Sequence, residues 1–341
     1  MPGHDSGHAD PRPPIGLSWE SVVLAWVQEL GGWSNLSNEL VRRGRDEESI
    51  PTDITAVEKG LRRLAKREHR PGGQYGRWLT RYFGIPASLE HWARWMGQYH
   101  SRFADLPTGV RWQQLSAWDK PPVSETRISA WIHIGFASVM LRMGDLTSAL
   151  ARLEMAEGAA AVAGEACLLE LMLVRAKLQT DMGDRRGAAS TLDEAGALLG
   201  DAWLDEDDRL CYHARWISQR AYHLTSPHPQ PAEAIAEARR LFESIPDEPF
   251  VPFVAFRKCN GLAYCAWRLG WQTKALSLAR LAEQHAGDGG LVRFRVMSLK
   301  LQARIEAESA ATAAHAEKLL ERAARLAELL EDADLSERLR R

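Results

Sequence analysis

The spacing of apolar positions predicts helices over the C-terminal two-thirds of the chain. From about residue 124 onward Ala, Leu, Arg and Glu dominate. No segment of this region alternates between apolar and polar positions, as a half-buried strand does. We therefore expect an all-α fold here.

One pattern recurs three times in this region. Gly144, Gly183 and Gly270 are each followed by small or apolar residues at offsets +5, +9 and +12. A glycine that ends a helix adopts a conformation that side chains resist, and alanines seven residues apart share one helix face. The pattern predicts helix–turn–helix units. The residues at the three offsets are Ala149, Leu153 and Ala156, then Ala188, Leu192 and Ala195, then Ala275, Ala279 and Ala282.

Two weaker copies, 208–242 and 291–330, bring the number of helix pairs to about five. The pattern resembles the tetratricopeptide family over roughly residues 124–331, and the resemblance implies an α-solenoid. Gly144 and Gly183 are 39 residues apart, so each unit is longer than the usual length of about 34 residues. Units of this kind resemble those of bacterial regulatory and signalling proteins. The alternative is an irregular all-helical domain without a groove.

The family resemblance also implies which side chains line a binding groove, because the first helix of each pair faces it. Asn, Tyr, Trp and Arg on one helix face can bond to a peptide backbone, stack on side chains and hold a carboxylate. The alternative is that Tyr264 and Trp267 pack against the next repeat. The candidate residues for binding a peptide or protein segment are Trp131, Arg142, Lys177, Arg257, Asn260, Tyr264, Trp267 and Arg268.

Residues 17–107 lack the repeat and predict a separate helical domain. Ser18 can cap a helix that runs to about Leu30, and a second helix is expected at 36–43. Thr55 and Glu58 have the spacing of a capping box, which predicts a third helix. Basic residues recur along the exposed side of that helix at helical spacing. They are Lys59, Arg62, Arg63, Lys66, Arg67 and Arg70.

This arrangement resembles a helix-turn-helix or winged-helix DNA-binding domain, with residues 69–75 as the tip of a wing. The resemblance implies that the basic residues are candidates for binding double-stranded DNA. The alternative is that the basic helix is solvated or docks on an acidic protein. The separation of about eleven residues (44–54) between the second and third helices departs from the short turn of that family.

Composition and charge support this division of the chain. The whole chain carries a formal charge of −2, yet residues 59–81 contain eight Lys or Arg and one acid, Glu68. Nine of the 13 tryptophans lie in the first 131 residues. We expect a disordered tail (1–16), a helical, helix-turn-helix-like domain (17–107), a connector (108–123), five tetratricopeptide-like helix pairs (124–331) and a charged end (332–341).

The sequence contains few motifs for targeting, metal binding or catalysis. The first sixteen residues have no apolar run that would serve as a signal peptide, and their Pro and Gly argue against a metal site at His4 and His8. Four separated cysteines predict buried thiols rather than disulfides or zinc ligands. No phosphate-binding loop, zinc motif or nucleophile elbow occurs. We expect a cytoplasmic protein that is not an enzyme and needs no cofactor or metal.

Together these features predict a regulator that binds a peptide or protein segment through the repeats, and the helix-turn-helix resemblance implies DNA binding through the basic helix. The domain order resembles that of peptide-responsive bacterial transcription regulators with tetratricopeptide sensors. The alternative is a scaffold or adaptor between proteins that binds no nucleic acid.

Overall fold

In the computed structural model, the structure describes residues 17–226 and 231–340. Within these ranges all regular elements are helical, comprising seventeen α-helices and two short 3-10 turns. The predicted all-α fold class is therefore confirmed. The expected disordered tail, with His4 and His8, and residues 227–230 lie outside the described residues.

The chain forms two compact units. The first contains the residues up to Trp92 together with Ser116–Thr126, and the second contains Ala93–Leu115 together with the chain from Arg127 onward. This division differs from the sequence-based domains, which placed 93–107 in the N-terminal domain and 108–123 in a connector. Residues 93–115 belong to the second unit because their side chains pack and bond there, as described below.

The first unit is built from short helices around a buried tryptophan. The indole of Trp19 is completely buried and lies against Gly72 and Gly76, where an added Cβ would come within 2.3 and 2.9 Å of the ring. Its Nε1 donates to the carbonyl of Arg70 at 3.0 Å. The helices are α1 (Trp19–Glu29), α2 (Trp33–Arg43), α3 (Ile54–Ala65), α4 (Gly73–Tyr82) and α5 (Ala87–Gly97), the last of which continues into the second unit.

Three local predictions for the first unit are wrong. Asp53, rather than Thr55, caps α3, and its carboxylate accepts from the backbone N–H of Thr55 at 2.9 Å. The helix ends at Ala65, and three residues later Glu68 adopts a left-handed conformation (φ 54°). Lys66, Arg67 and Arg70 therefore do not continue the helical stripe. The expected wing at 69–75 is also absent from the described chain, because α4 begins at Gly73.

The second unit contains the five predicted helix pairs. Each first helix packs on its own partner and on the first helix of the next pair, which is the arrangement of an α-solenoid. The pairs are α7 (Ser129–Met143) with α8 (Leu146–Ala163), α9 (Glu165–Asp181) with α10 (Arg185–Asp201), α11 (Glu206–Thr225) with α12 (Ala232–Glu243), α13 (Pro252–Arg268) with α14 (Gln272–Asp288), and α15 (Val292–Glu306) with α16 (Ala313–Leu330). The helix α6 (Thr108–Trp118) precedes them and α17 (Ala333–Arg340) follows.

The recurring glycines end the first helices as predicted. Gly144, Gly183 and Gly270 have φ values of 78°, 84° and 80°. In each turn the N–H of the next residue donates to the carbonyl five positions earlier, which closes the helix end. All nine residues at the +5, +9 and +12 offsets are buried, so the small side chains allow neighbouring helices to approach closely.

Candidate functional site

The candidate site is the surface formed by one side of the first helices α7, α9, α11, α13 and α15, which we call the first-helix face. On α13, Arg257 and Tyr264 are seven residues apart, and Arg268 follows four residues later. On α15, Arg293, Lys300 and Arg304 have the same spacing. Residues at these spacings share one side of a helix, so the two helices present matching rows of polar side chains.

A segment of the same unit, residues 98–111, binds to the first-helix face; we call it the inner segment. Gln98 donates to Asp208 of α11 at 2.9 Å. The Ala104 carbonyl accepts from the guanidinium of Arg142 on α7. The carboxylate of Asp105 accepts from the backbone N–H of Arg293 at 3.0 Å. The inner segment therefore contacts the first helices of several pairs.

Tyr99 of the inner segment lies in a cage of arginines. Its hydroxyl accepts from Arg293 at 3.0 Å and from Arg257 at 3.3 Å. The guanidinium of Arg215 lies 4.4 Å from the centre of its ring. Burial by itself raises the pKa of a phenol, but the positive charges of Arg293 and Arg257 outweigh it and lower the pKa of Tyr99 to about 7.

The neighbouring imidazole of His100 is held in its neutral form. Its Nε2 lies 3.5 Å from the carboxylate of Asp208, and its ring packs edge-on against Tyr212. Burial, followed by the positive charges of Arg215 and Arg94, lowers the pKa of His100 to about 3. Arg94 also pairs with Asp208, so this carboxylate already has a permanent cation as its partner.

Asp332 joins the beginning and the end of the repeat array. Its buried carboxylate lies 3.1 Å from Nε of Arg293 on α15 and 3.8 Å from Nε of Arg142 on α7. Burial, followed by the charge of Arg293, lowers the pKa of Arg142 to about 10. Glu170 pairs with Arg215 in a second buried ion pair. Carboxylates of the same unit therefore compensate much of the buried positive charge.

Arg111 is the least compensated of these arginines. It is 1% exposed, and one of its Nη atoms bonds to the Ser138 hydroxyl at 3.3 Å. Within the described chain its Nε and its other Nη have no hydrogen-bond partner. Burial lowers the pKa of Arg111 well below its ordinary value.

The structure brings three of the predicted groove residues against residues 97–105. Trp131 is buried, and an added Cβ on Gly97 would come within 2.4 Å of its carbonyl oxygen. Arg142 bonds to Ala104, and Arg257 bonds to Tyr99. Arg142 and Arg257 therefore bond to the inner segment, and Trp131 lies beside it.

The other five predicted groove residues lie apart from the inner-segment contacts. Lys177 pairs with Asp181 on its own helix. Asn260 lies 3.5 Å from the Ser298 hydroxyl. Tyr264 and Trp267 pack edge to face, and Trp267 Nε1 donates to Glu308 at 2.6 Å. Arg268 is exposed.

The candidate nucleic-acid-binding residues are all exposed in the first unit. Arg62 pairs with Glu58 at 2.9 Å and lies over the ring of Trp33. Arg67 donates to the Pro71 carbonyl at 2.6 Å. The surface is therefore cationic, although some of its side chains already bond within the unit. Lys59, Arg62 and Arg63 lie on α3, and Lys66, Arg67 and Arg70 lie in the turn after it.

The remaining reactive groups are dispersed. The four cysteines are free and buried. Burial raises the pKa of Cys211 and Cys265 to about 12 and that of Cys259 to about 11. No group of three or more His, Cys, Asp and Glu side chains arranged to hold a metal occurs in residues 17–226 and 231–340. Of the helices in the described ranges, none is both long and apolar enough to cross a membrane.

Sequence reasoning missed the central residues of this cluster. Tyr99 and His100 carried no recognisable motif, and Arg111 lay in the expected connector. Arg215 and Arg293 lie in the third and fifth helix pairs, where the repeat pattern is weakest. A signal was available on α15, because Arg293 and Arg304 repeat the spacing of Arg257 and Arg268.

Comparisons with known proteins find a similarity among solved structures. No family model matches the chain, and no curated protein matches it. Among solved structures, it is similar to the crystal structure of a Rap protein complexed with competence and sporulation factor. The two are 15% identical, the match covers 94% of this chain and 93% of the other, and the TM-score is 0.45.

Proposed function

We propose that the protein is a non-enzymatic regulator that binds a peptide or protein segment along its first-helix face. One observation carries the proposal: this face already holds a short piece of polypeptide, the 3-10 turn at Arg102–Asp105 in the inner segment. Arg142 bonds to its backbone at Ala104, and Arg293 bonds to its side chain at Asp105. A face that recognises backbone and side chains together is suited to binding a segment of another protein.

The part of the face available to a partner lies further along the first helices. Asn260 and Tyr264 are half-buried and Arg268 is exposed. An amide, a phenol ring and a guanidinium can bond to a backbone, stack on a side chain and hold a carboxylate. We therefore assign the partner site to this stretch of α13 and to the corresponding stretches of α9 and α15, which belong to the same first-helix face.

Co-purification from the source organism tests this function. The wild-type protein is compared with an Asn260→Ala, Tyr264→Ala variant, and any partner found is purified and titrated directly. We expect the variant to lose the partner. A Glu154→Ala, Glu321→Ala variant is the matched control, because both residues are exposed on second helices, and it should retain the partner. If no protein distinguishes the variant from the control, the function is refuted.

The exposed basic residues of the first unit favour a second candidate function, the binding of double-stranded DNA. Such binding weakens steeply as salt rises, because bound phosphates release counterions. We expect an Arg62→Ala, Arg63→Ala, Lys66→Ala, Arg67→Ala variant to lose a duplex that the wild type retains at low salt. An Arg186→Ala, Arg325→Ala variant, which changes exposed residues of the repeats, should retain it.

The scaffold or adaptor function predicts a different pair of results. In that case the basic surface docks on an acidic protein, and the wild type retains no duplex at any salt concentration. The partner of the first-helix face would still be recovered.

A further inference from the structure

The accessible part of the first-helix face carries positive charge that residues 17–226 and 231–340 do not neutralise. Arg268 and Arg304 are both exposed. Within the described part of the chain neither forms an ion pair; Arg268 lies only over the ring of Trp267, at 5.5 Å. Glu308, a nearby carboxylate, is bound by Trp267 at 2.6 Å and by Gln272 at 2.7 Å.

The two arginines lie on the first helices of successive pairs, each at the same distance along the chain from a buried-cluster arginine. Arg268 lies eleven residues after Arg257 on α13, and Arg304 lies eleven residues after Arg293 on α15. The two helices pack against each other. The same spacing on α7 separates Trp131 from Arg142. Arg142 and Arg268 also lie two residues before the turn glycines of their pairs, Gly144 and Gly270, so these two arginines occupy one position of the repeat.

Arg142 shows what this position binds. Its guanidinium bonds to the backbone carbonyl of Ala104 and pairs with the carboxylate of Asp332. Both partners come from segments outside α7, and one of them is acidic. Arg293 of α15, also on the first-helix face, likewise pairs with Asp332 and Asp334.

We propose that the partner segment is acidic, and that Arg268 and Arg304 bind its carboxylates as Arg142 binds Asp332. This inference rests on the proposed function and names the chemical class of the partner. Lys177 adds a third cation on the same face, paired with Asp181 of its own helix. A guanidinium presents several donors in a planar fork that matches a carboxylate, so two adjacent arginines favour Asp or Glu over neutral residues.

Selection from a random library of twelve-residue peptides tests the proposal with the full-length protein. We expect the peptides bound by the wild type to be enriched in Asp and Glu. The Arg268→Ala, Arg304→Ala variant should bind a selected acidic peptide about tenfold more weakly, as expected for the loss of two exposed charge pairs. Arg325→Ala, which changes an exposed arginine of α16, is the control and should bind as the wild type does.

Charge reversal provides the sharper result. The Arg268→Glu, Arg304→Glu variant should select peptides enriched in Lys and Arg, because the carboxylates then prefer cations. Both residues are exposed, so we expect the fold to persist, and circular dichroism verifies it. Selection of neutral or basic peptides by the wild type would overturn the acidic-partner inference alone. Selection of the same peptides by the reversed variant and the wild type would have the same consequence. Failure of the wild type to select any peptide would overturn the proposed function as well.

Discussion

The tyrosine in the arginine cage makes the stability of the second unit depend on pH. The hydroxyl of Tyr99 accepts from Arg293 and Arg257, and its pKa is lowered to about 7. An unfolded tyrosine keeps its proton to about pH 10. Between these two values the folded protein binds fewer protons than the unfolded protein, so its free energy of unfolding rises with pH.

Replacing Tyr99 with Phe removes this contribution. From pH 7 to pH 9 the ionisation adds about 2 kcal/mol to the wild-type free energy of unfolding, since each pKa unit corresponds to about 1.4 kcal/mol. At lower pH the variant still loses two bonds from charged donors, at about 1.5–3 kcal/mol for a bond of this kind. The difference in stability between the two proteins should therefore widen as pH rises.

Urea unfolding at several pH values between 6 and 9 measures the difference, and the ultraviolet absorbance of tyrosinate follows the ionisation directly. Tyr212→Phe is the matched control. Tyr212 is buried in the same unit and donates to the Ala166 carbonyl at 3.0 Å. Burial and the charge of Glu170 raise its pKa well above the ordinary value. Its removal should cost the same at every pH in this range.

A difference in the free energy of unfolding between wild type and Tyr99→Phe that stays constant from pH 7 to pH 9 would contradict this prediction. So would a tyrosinate signal near neutral pH that survives in Tyr99→Phe. Either result would mean that the arginines do not lower the pKa of this phenol.

Three further predictions concern the same unit. Asp332→Asn should destabilise the protein by about 3 kcal/mol or more in urea unfolding, because it leaves Arg142 and Arg293 buried without their shared carboxylate; an effect below 1 kcal/mol would contradict the assigned role of Asp332. Lowering the pH from 6.5 towards 3 should destabilise the wild type more than His100→Gln. In the unfolded chain the imidazole binds a proton in this range, whereas in the folded protein it stays neutral down to its pKa of about 3. Parallel plots of the free energy of unfolding against pH would contradict this prediction. Gly183→Ala should lower the melting temperature, because a side chain at a φ of 84° costs about 1 kcal/mol. Gly158→Ala should raise the melting temperature, because Gly158 lies inside α8 with open space around the new Cβ.

Much of the repeat unit could be predicted because its signals are local. Gly144, Gly183 and Gly270 end helices through their own backbone conformation, and the small residues after them occupy one helix face. The same reasoning was less accurate in the first unit. Thr55 and Glu58 have capping-box spacing, yet Asp53 provides the cap two residues earlier. The helix that carries the basic residues ends at Ala65. Beyond it the backbone turns at Glu68, whose carbonyl accepts from the N–H of Trp19 at 3.0 Å.

The all-α class, the helix pairs and the residues that share each helix face follow from the amino-acid sequence, because they depend on neighbours within a few turns. The assignment of residues 93–115 to the repeat unit, and the contacts of Tyr99, Arg111 and Asp332, required the folded structure. The bonds concerned join residues far apart in the chain: Thr108 donates to the Leu330 carbonyl across 222 positions, and Arg293 donates to Tyr99 across 194. No periodicity in the sequence encodes such a pairing, because it depends on how the stacked first helices place their side chains in space.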